Sequence, residues 1–93
     1  MQDLANELTK VVKKVMAISL RPRDVLFWLR RNLLQHPNLD ENDENAIHRE
    51  MIEQGVARDT HSDFSTVAGA LSAIREEMAW TGEDFRSCVK RLA

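Results

Sequence analysis

Residues 64–74 read FSTVAGALSAI and contain no charged side chain. Apolar residues recur there at spacings of three and four, which is the pattern of an amphipathic helix. The positions that follow this pattern are Phe64, Val67, Ala68, Leu71, Ile74 and Met78. Thr60, Ser62 and Asp63 precede them, and each of these residue types can cap a helix. The stretch predicts a helix over residues 63–80.

The other side of this predicted helix carries small side chains, among them Gly69, Ala70 and Ala73. Small residues allow a second backbone to approach closely. Gly69 costs about 1 kcal/mol of helix propensity relative to alanine, and close packing would offset that cost. We therefore predict that these three residues contact a partner. Core packing inside the chain's own bundle is the alternative.

The predicted helix over residues 22–36 has apolar side chains on two sides. Pro22 suits its first turn because proline has no N–H group to satisfy, and Pro37 disfavours helical backbone in the residue before it. One side is formed by Val25, Leu29 and Leu33, and nearly opposite lie Phe27 and Leu34. Such a helix is either central in its bundle or covered on one side by something else.

The second apolar side of this helix has the composition of a protein-binding surface. Tryptophan and arginine are enriched among the residues that contribute most to protein–protein binding. The candidates here are Phe27, Trp28, Arg30, Arg31 and Leu34. We predict that these residues contact a partner, with burial in the core as the alternative.

Three further segments are predicted to be helical, over residues 3–19, 42–54 and 82–92. The middle one has only a narrow apolar seam, so we expect it to be peripheral, and Gly55 suits its end. The sequence does not decide whether Asp40 or Asn42 caps this helix. The last helix follows Thr81-Gly82-Glu83-Asp84, which resembles a capping box with Asp in place of the usual Glu.

The predicted fold is all-α, with five helices in one compact bundle of irregular or orthogonal packing over residues 1–93. A chain of 93 residues makes at most one domain, because domains usually contain about 100–150 residues. Only three glycines and two prolines are present, which argues against a turn-rich all-β fold. A core this small makes a homodimer or partner interface an attractive addition.

Charge is distributed unevenly along the chain, although the net charge is only −2. Residues 10–37 contain seven basic side chains and one acidic one, whereas residues 38–63 contain eight acidic and two basic ones. Such polarity steers partners, or the two blocks pair with each other inside the fold. The basic block also suits nucleic acid. The candidate phosphate contacts are Lys10, Lys13, Lys14, Arg21 and Arg23.

The sequence predicts no catalytic, cofactor-binding or metal-binding residue. We find no glycine-rich phosphate loop and no nucleophile motif. The acidic stretch 40–51 departs from a calcium loop, because Asn45 stands where that loop needs glycine and Met51 where it needs glutamate. The three histidines have no ligand spacing and are expected at the surface. Cys88, the single cysteine, lies on an apolar stripe and is expected to be a buried small hydrophobe.

We expect the chain to be cytoplasmic, with no membrane segment. One cysteine cannot form an internal disulfide, which suits a reducing compartment. The apolar runs are shorter than a signal peptide needs, and far shorter than the roughly 20 residues of a membrane-spanning helix.

These features together favour a non-enzymatic regulator or adaptor that binds another protein by occupying its surface, as a homodimer. A nucleic-acid-binding protein that uses the basic face of the first two helices is one alternative. A second alternative is an accessory subunit or chaperone of a larger assembly, whose core would be completed by its partner.

Overall fold

The computed structural model describes residues 19–35 and 39–93, and of Leu34 it describes only the backbone. Four α-helices account for most of these residues. They are α1 (Pro22–Gln35), α2 (Glu44–Glu53), α3 (His61–Thr81) and α4 (Phe85–Leu92). The all-α fold is confirmed, and no strand occurs among these residues. The predicted helix over residues 3–19 lies, except for its last residue, outside them.

Side-chain caps start the last three helices, because each one satisfies a backbone N–H group of the first turn that has no partner in the helix. The caps of α2, α3 and α4 are Asp43, Thr60 and Asp84, which accept from the N–H groups of Ala46, Asp63 and Ser87 at 3.0, 3.1 and 2.7 Å. The sequence suggested Asp40 or Asn42 as the cap of α2, and both suggestions were wrong because Asp43 is the cap. Asp40 instead accepts from the N–H group of Asn42 in the preceding turn.

The junction between α3 and α4 differs from the prediction. Thr81 does not cap α4 but is the last residue of α3, and its hydroxyl donates to the carbonyl of Glu77. Gly82 ends α3 in left-handed backbone with φ 73°, and its N–H group donates to Met78 O at 2.9 Å. Because this reversal takes up residues 82–84, α4 begins three residues later than predicted.

Helix α3 is the central element of the described chain, since α1, α2 and α4 all pack against it. Among the described helices, α1 also contacts α4, whereas α2 contacts only α3 and is peripheral, as predicted. The buried apolar side chains form one core and are Val25, Trp28, Leu29, Leu33, Ile47, Met51, Ala57, Val67, Ala70, Leu71, Ile74, Phe85, Cys88 and Val89. The prediction that Cys88 is a buried small hydrophobe is confirmed, and burial raises the pKa of its thiol.

Two exposed ion pairs tie the outer helices to α3, and a third joins α4 to the turn that precedes it. Arg75 of α3 reaches Glu44 of α2 at 3.2 Å, while Arg91 of α4 contacts both Glu77 and Glu83 at 2.8 Å. Exposed pairs contribute only about 0–1 kcal/mol each, so burial of the apolar core is the larger contribution to stability.

Gly69 does not make the close packing that the sequence suggested. A methyl group added at its Cα would meet no atom within 4 Å among the described residues. The residue lies exposed in the middle of α3. The propensity cost of Gly69 is thus not offset by a contact within the described chain.

We expect opposite effects when Gly69, inside α3, and Gly82, which follows the last residue of α3, are replaced by alanine. Gly69→Ala should raise the free energy of unfolding by about 0.5–1 kcal/mol, because alanine favours the helix and the added methyl group has room. Gly82→Ala should lower it by about 1–2 kcal/mol, because alanine is strained at φ 73°. Urea denaturation followed by circular dichroism measures both. A destabilising Gly69→Ala would contradict the open surroundings of Gly69.

Candidate functional site

A groove of about 830 Å³ lies between α1 and the loop over residues 54–58 that joins α2 to α3. Its apolar lining comprises Leu20, Phe27, Trp28, Val56 and Ala57. Its charged lining comprises Arg21, Asp24, Arg30, Arg31, Arg58 and Asp63. Phe27 is 57% exposed and Val56 is 48% exposed, so the groove presents apolar surface to solvent.

One wall of the groove is held by a hydrogen-bond network between α1 and the loop. The Nε1–H of Trp28 donates to Oε1 of Gln54 at 2.9 Å, and the Gln54 amide donates to Oδ1 of Asn32 at 3.2 Å. Asn32 is buried, and its own amide donates to the carbonyl of Trp28 at 2.8 Å. The network satisfies the polar groups of two buried side chains and connects the loop to α1.

The loop itself has a tight backbone conformation. Gly55 has φ 75°, and both Val56 and Ala57 donate their N–H groups to the carbonyl of Met51, at 3.0 and 3.2 Å. Ala57 is buried while Val56 stays half exposed. The turn therefore leaves Val56 exposed in the groove and buries the next residue, Ala57, in the core.

A buried carboxylate supports the end of this loop. Asp63 is 2% exposed, accepts from the N–H group of Arg58 at 2.7 Å and lies 3.6 Å from the Arg58 guanidinium. Arg58 Nε is enclosed and makes no hydrogen bond to any residue that the structure describes. Asp63 thus fixes the backbone of Arg58, while the guanidinium of Arg58 keeps donor capacity beside the groove.

His48 is not at the surface, which corrects one expectation from the sequence. It is 7% exposed, and its Nε2 lies 2.9 Å from the carbonyl of Arg58, so this nitrogen carries the hydrogen and donates. Its ring meets Phe64 edge-on, with centroids 5.7 Å apart. The histidine anchors the same loop residue that Asp63 holds. His61 is exposed as expected, and His36 lies outside the described residues.

The arginines of the groove differ in how far they are neutralised. Arg21 forms a two-pronged contact with Asp24, with both distances at 3.1 Å, and this hydrogen bonding is the main reason that the pKa of Asp24 is lowered. Arg30 and Arg31 are exposed and pair with no carboxylate in the described part of the chain. The groove therefore carries unbalanced positive charge on the α1 side.

The structure separates the partner-binding residues that the sequence predicted. Phe27, Arg30 and Arg31 line the groove and are exposed, whereas Trp28 lines it with only 6% of its surface exposed. The side chain of Leu34 is outside the described part.

The predicted residues on α3 do not line the groove. Gly69 and Ala73 are exposed, but Ala70 is packed in the core with 4% exposed. Partner binding by these residues stays a prediction.

Two of the candidate phosphate contacts can be located. Arg21 is engaged by Asp24, and Arg23 is exposed on α1. Lys10, Lys13 and Lys14 lie outside residues 19–35 and 39–93. Nucleic-acid binding therefore stays a prediction as well.

Sequence reasoning did not single out several residues that build the groove. Asn32 and Gln54 are 22 residues apart, and nothing in the sequence relates them to each other. A signal did exist for Asp63, because an acidic residue three positions after the Thr60 cap suits the first helical turn. The carboxylate, however, accepts from Arg58 rather than from Thr60.

Comparisons with known proteins identify no relative: no family model, no curated protein and no solved structure matches the chain. Within the described ranges, no three His, Cys, Asp or Glu side chains are placed to hold a metal ion together. In the same ranges, no helix has the length and apolar character needed to cross a membrane.

Asp63→Asn should lower the free energy of unfolding by about 1–3 kcal/mol, because a neutral amide replaces the carboxylate that the N–H and guanidinium groups of Arg58 contact. The matched control is Asp59→Asn, an exposed residue in the same segment, which should change stability by less than about 0.5 kcal/mol. Thermal melts of the three proteins measure the difference. Equal effects of the two substitutions would contradict the supporting role of Asp63.

Proposed function

We propose that this chain is a non-enzymatic regulator or adaptor that binds another protein through the groove between α1 and residues 54–58. The observation that carries the proposal is that one concave surface combines exposed apolar side chains with arginines that pair with no carboxylate among the described residues. Phe27 and Val56 supply the apolar part, and Arg30 and Arg31 supply the charge.

The groove has the mixed composition of a protein interface. Interfaces place aromatic side chains at the centre and a polar, solvent-accessible rim around them, with arginine enriched. Trp28 belongs to the core but also lines the groove, and its Nε1–H donates to Gln54. A rotamer fixed in this way loses little conformational entropy when a partner binds.

Replacing Phe27 should remove partner binding without unfolding the chain. Phe27→Ser is expected to reduce capture of a bound protein from nuclease-treated lysate of the source cell by at least about tenfold, because an exposed aromatic contact is lost. Quantitative mass spectrometry of the captured proteins measures the effect. Trp80→Ser is the matched control, since Trp80 is 87% exposed and lies outside the groove.

Two outcomes would contradict the proposal. Capture that survives Phe27→Ser but is lost with Trp80→Ser would move the binding surface to the end of α3. If the unchanged chain no longer captures a protein once nucleic acid is digested, nucleic-acid binding would be favoured instead. Circular dichroism of each variant verifies that it is folded.

Self-association is a separate expectation, for which the sequence suggested the small residues of α3. Sedimentation equilibrium from micromolar to millimolar concentration should show a dimer, and Gly69→Arg should reduce its fraction because a long charged side chain would occupy the exposed face. Asn45→Arg, on exposed α2, is the control with the same new side chain. A monomer at every concentration would contradict the homodimer.

A further inference from the structure

We infer that the occupant of the groove is an acidic amphipathic segment of a partner protein, with apolar side chains against Phe27 and Val56 and carboxylates against Arg30 and Arg31. This inference rests on the proposed function and names the chemistry of the partner. An acidic partner is inferred from which charged side chains of the groove already have an oppositely charged neighbour.

Charge complementarity favours a carboxylate-bearing occupant. The Asp24 carboxylate neutralises Arg21, but no carboxylate of the described chain reaches Arg30 or Arg31. At the loop, the Arg58 guanidinium has one carboxylate contact among the described residues, at 3.6 Å, and the Arg58 side chain is 37% exposed. Carboxylates on a partner would supply the acceptors that these guanidinium groups lack.

The groove lining favours a peptide over nucleic acid. A nucleic-acid backbone presents evenly spaced phosphates and no apolar side chain. The exposed surface of Phe27 and Val56 also calls for apolar side chains rather than phosphates. A peptide can place acidic and apolar residues separately and so match both parts.

Two segments of this same chain, one basic and one acidic, are poorer occupants. Residues 10–14 contain three lysines, which have the same sign as the unpaired arginines. The acidic stretch before α2 is already in use, because Asp43 caps α2 and Glu44 pairs with Arg75. A different protein is therefore a better match than either of these two segments.

A displayed peptide library tests the inference directly. Peptides of about 15 residues, long enough to form helix, would hold Leu and Phe at helical spacing, with the remaining positions randomised among Asp, Asn and Lys. Selection on the unchanged chain should enrich Asp over Asn. Selection on the double variant Arg30→Glu, Arg31→Glu should enrich Lys instead. The control Arg49→Glu makes a similar charge reversal on an exposed arginine outside the groove and should still enrich Asp.

Affinity of one selected acidic peptide, measured by titration calorimetry, provides the second readout. The double reversal should weaken binding by at least about tenfold, and Arg49→Glu by less than about twofold. Raising the salt concentration should weaken binding to the unchanged chain. Circular dichroism of each variant checks that it is folded.

The outcomes distinguish this inference from the proposed function. Equal affinity for the Asp peptide and its Asn counterpart, with binding still lost in Phe27→Ser, would overturn the acidic partner and leave the groove as a protein site. Selection of no peptide by the unchanged chain would also overturn the inference. Displacement of the peptide by a labelled DNA duplex, dependent on Arg30 and Arg31, would overturn it in favour of nucleic acid.

Discussion

Burial of the apolar stripe of α3 is the constraint on which the rest of the structure depends. Val67, Leu71 and Ile74 are completely buried, and each of the other described helices packs against the helix that carries them. A chain of 93 residues has few such surfaces, so one long helix must serve as the common packing partner. Loop geometry follows from this arrangement, because the left-handed glycines Gly55 and Gly82 end α2 and α3 where the chain must turn.

The central position of α3 determines which side of α1 is buried and which side is exposed. One side of α1, with Val25 and Leu29, is completely buried, and the helix packs against α3 and α4. The opposite side remains in solvent with Phe27 exposed, and the loop after α2 closes over its edge. The groove is therefore the part of α1 that the small bundle does not cover, and the contact from Trp28 to Gln54 keeps its wall in place.

The acidic and basic side chains of the described chain differ in what they contact. Acidic side chains are largely engaged locally, as Asp43 and Asp84 cap helices and Asp63 holds the loop. None of the ion pairs in the described ranges joins the basic block over residues 10–37 to the acidic block over 38–63. Arg30 and Arg31 of α1 consequently pair with no carboxylate among the described residues, which is what makes the groove a candidate binding surface.

The sequence by itself determined the all-α class, the start of α1 at Pro22, the end of α2 near Gly55, and the apolar stripe of α3. Those features depend on residues within one or two helical turns of each other. Only the tertiary structure decided that α3 rather than α1 is central, that Trp28 is buried while Phe27 is exposed, and that His48 lies inside. The groove depends on Trp28 meeting Gln54, 26 residues away, and such a contact is set by how whole helices pack. Local periodicity carries no information about that packing, because the same stripe can be buried against several different neighbours.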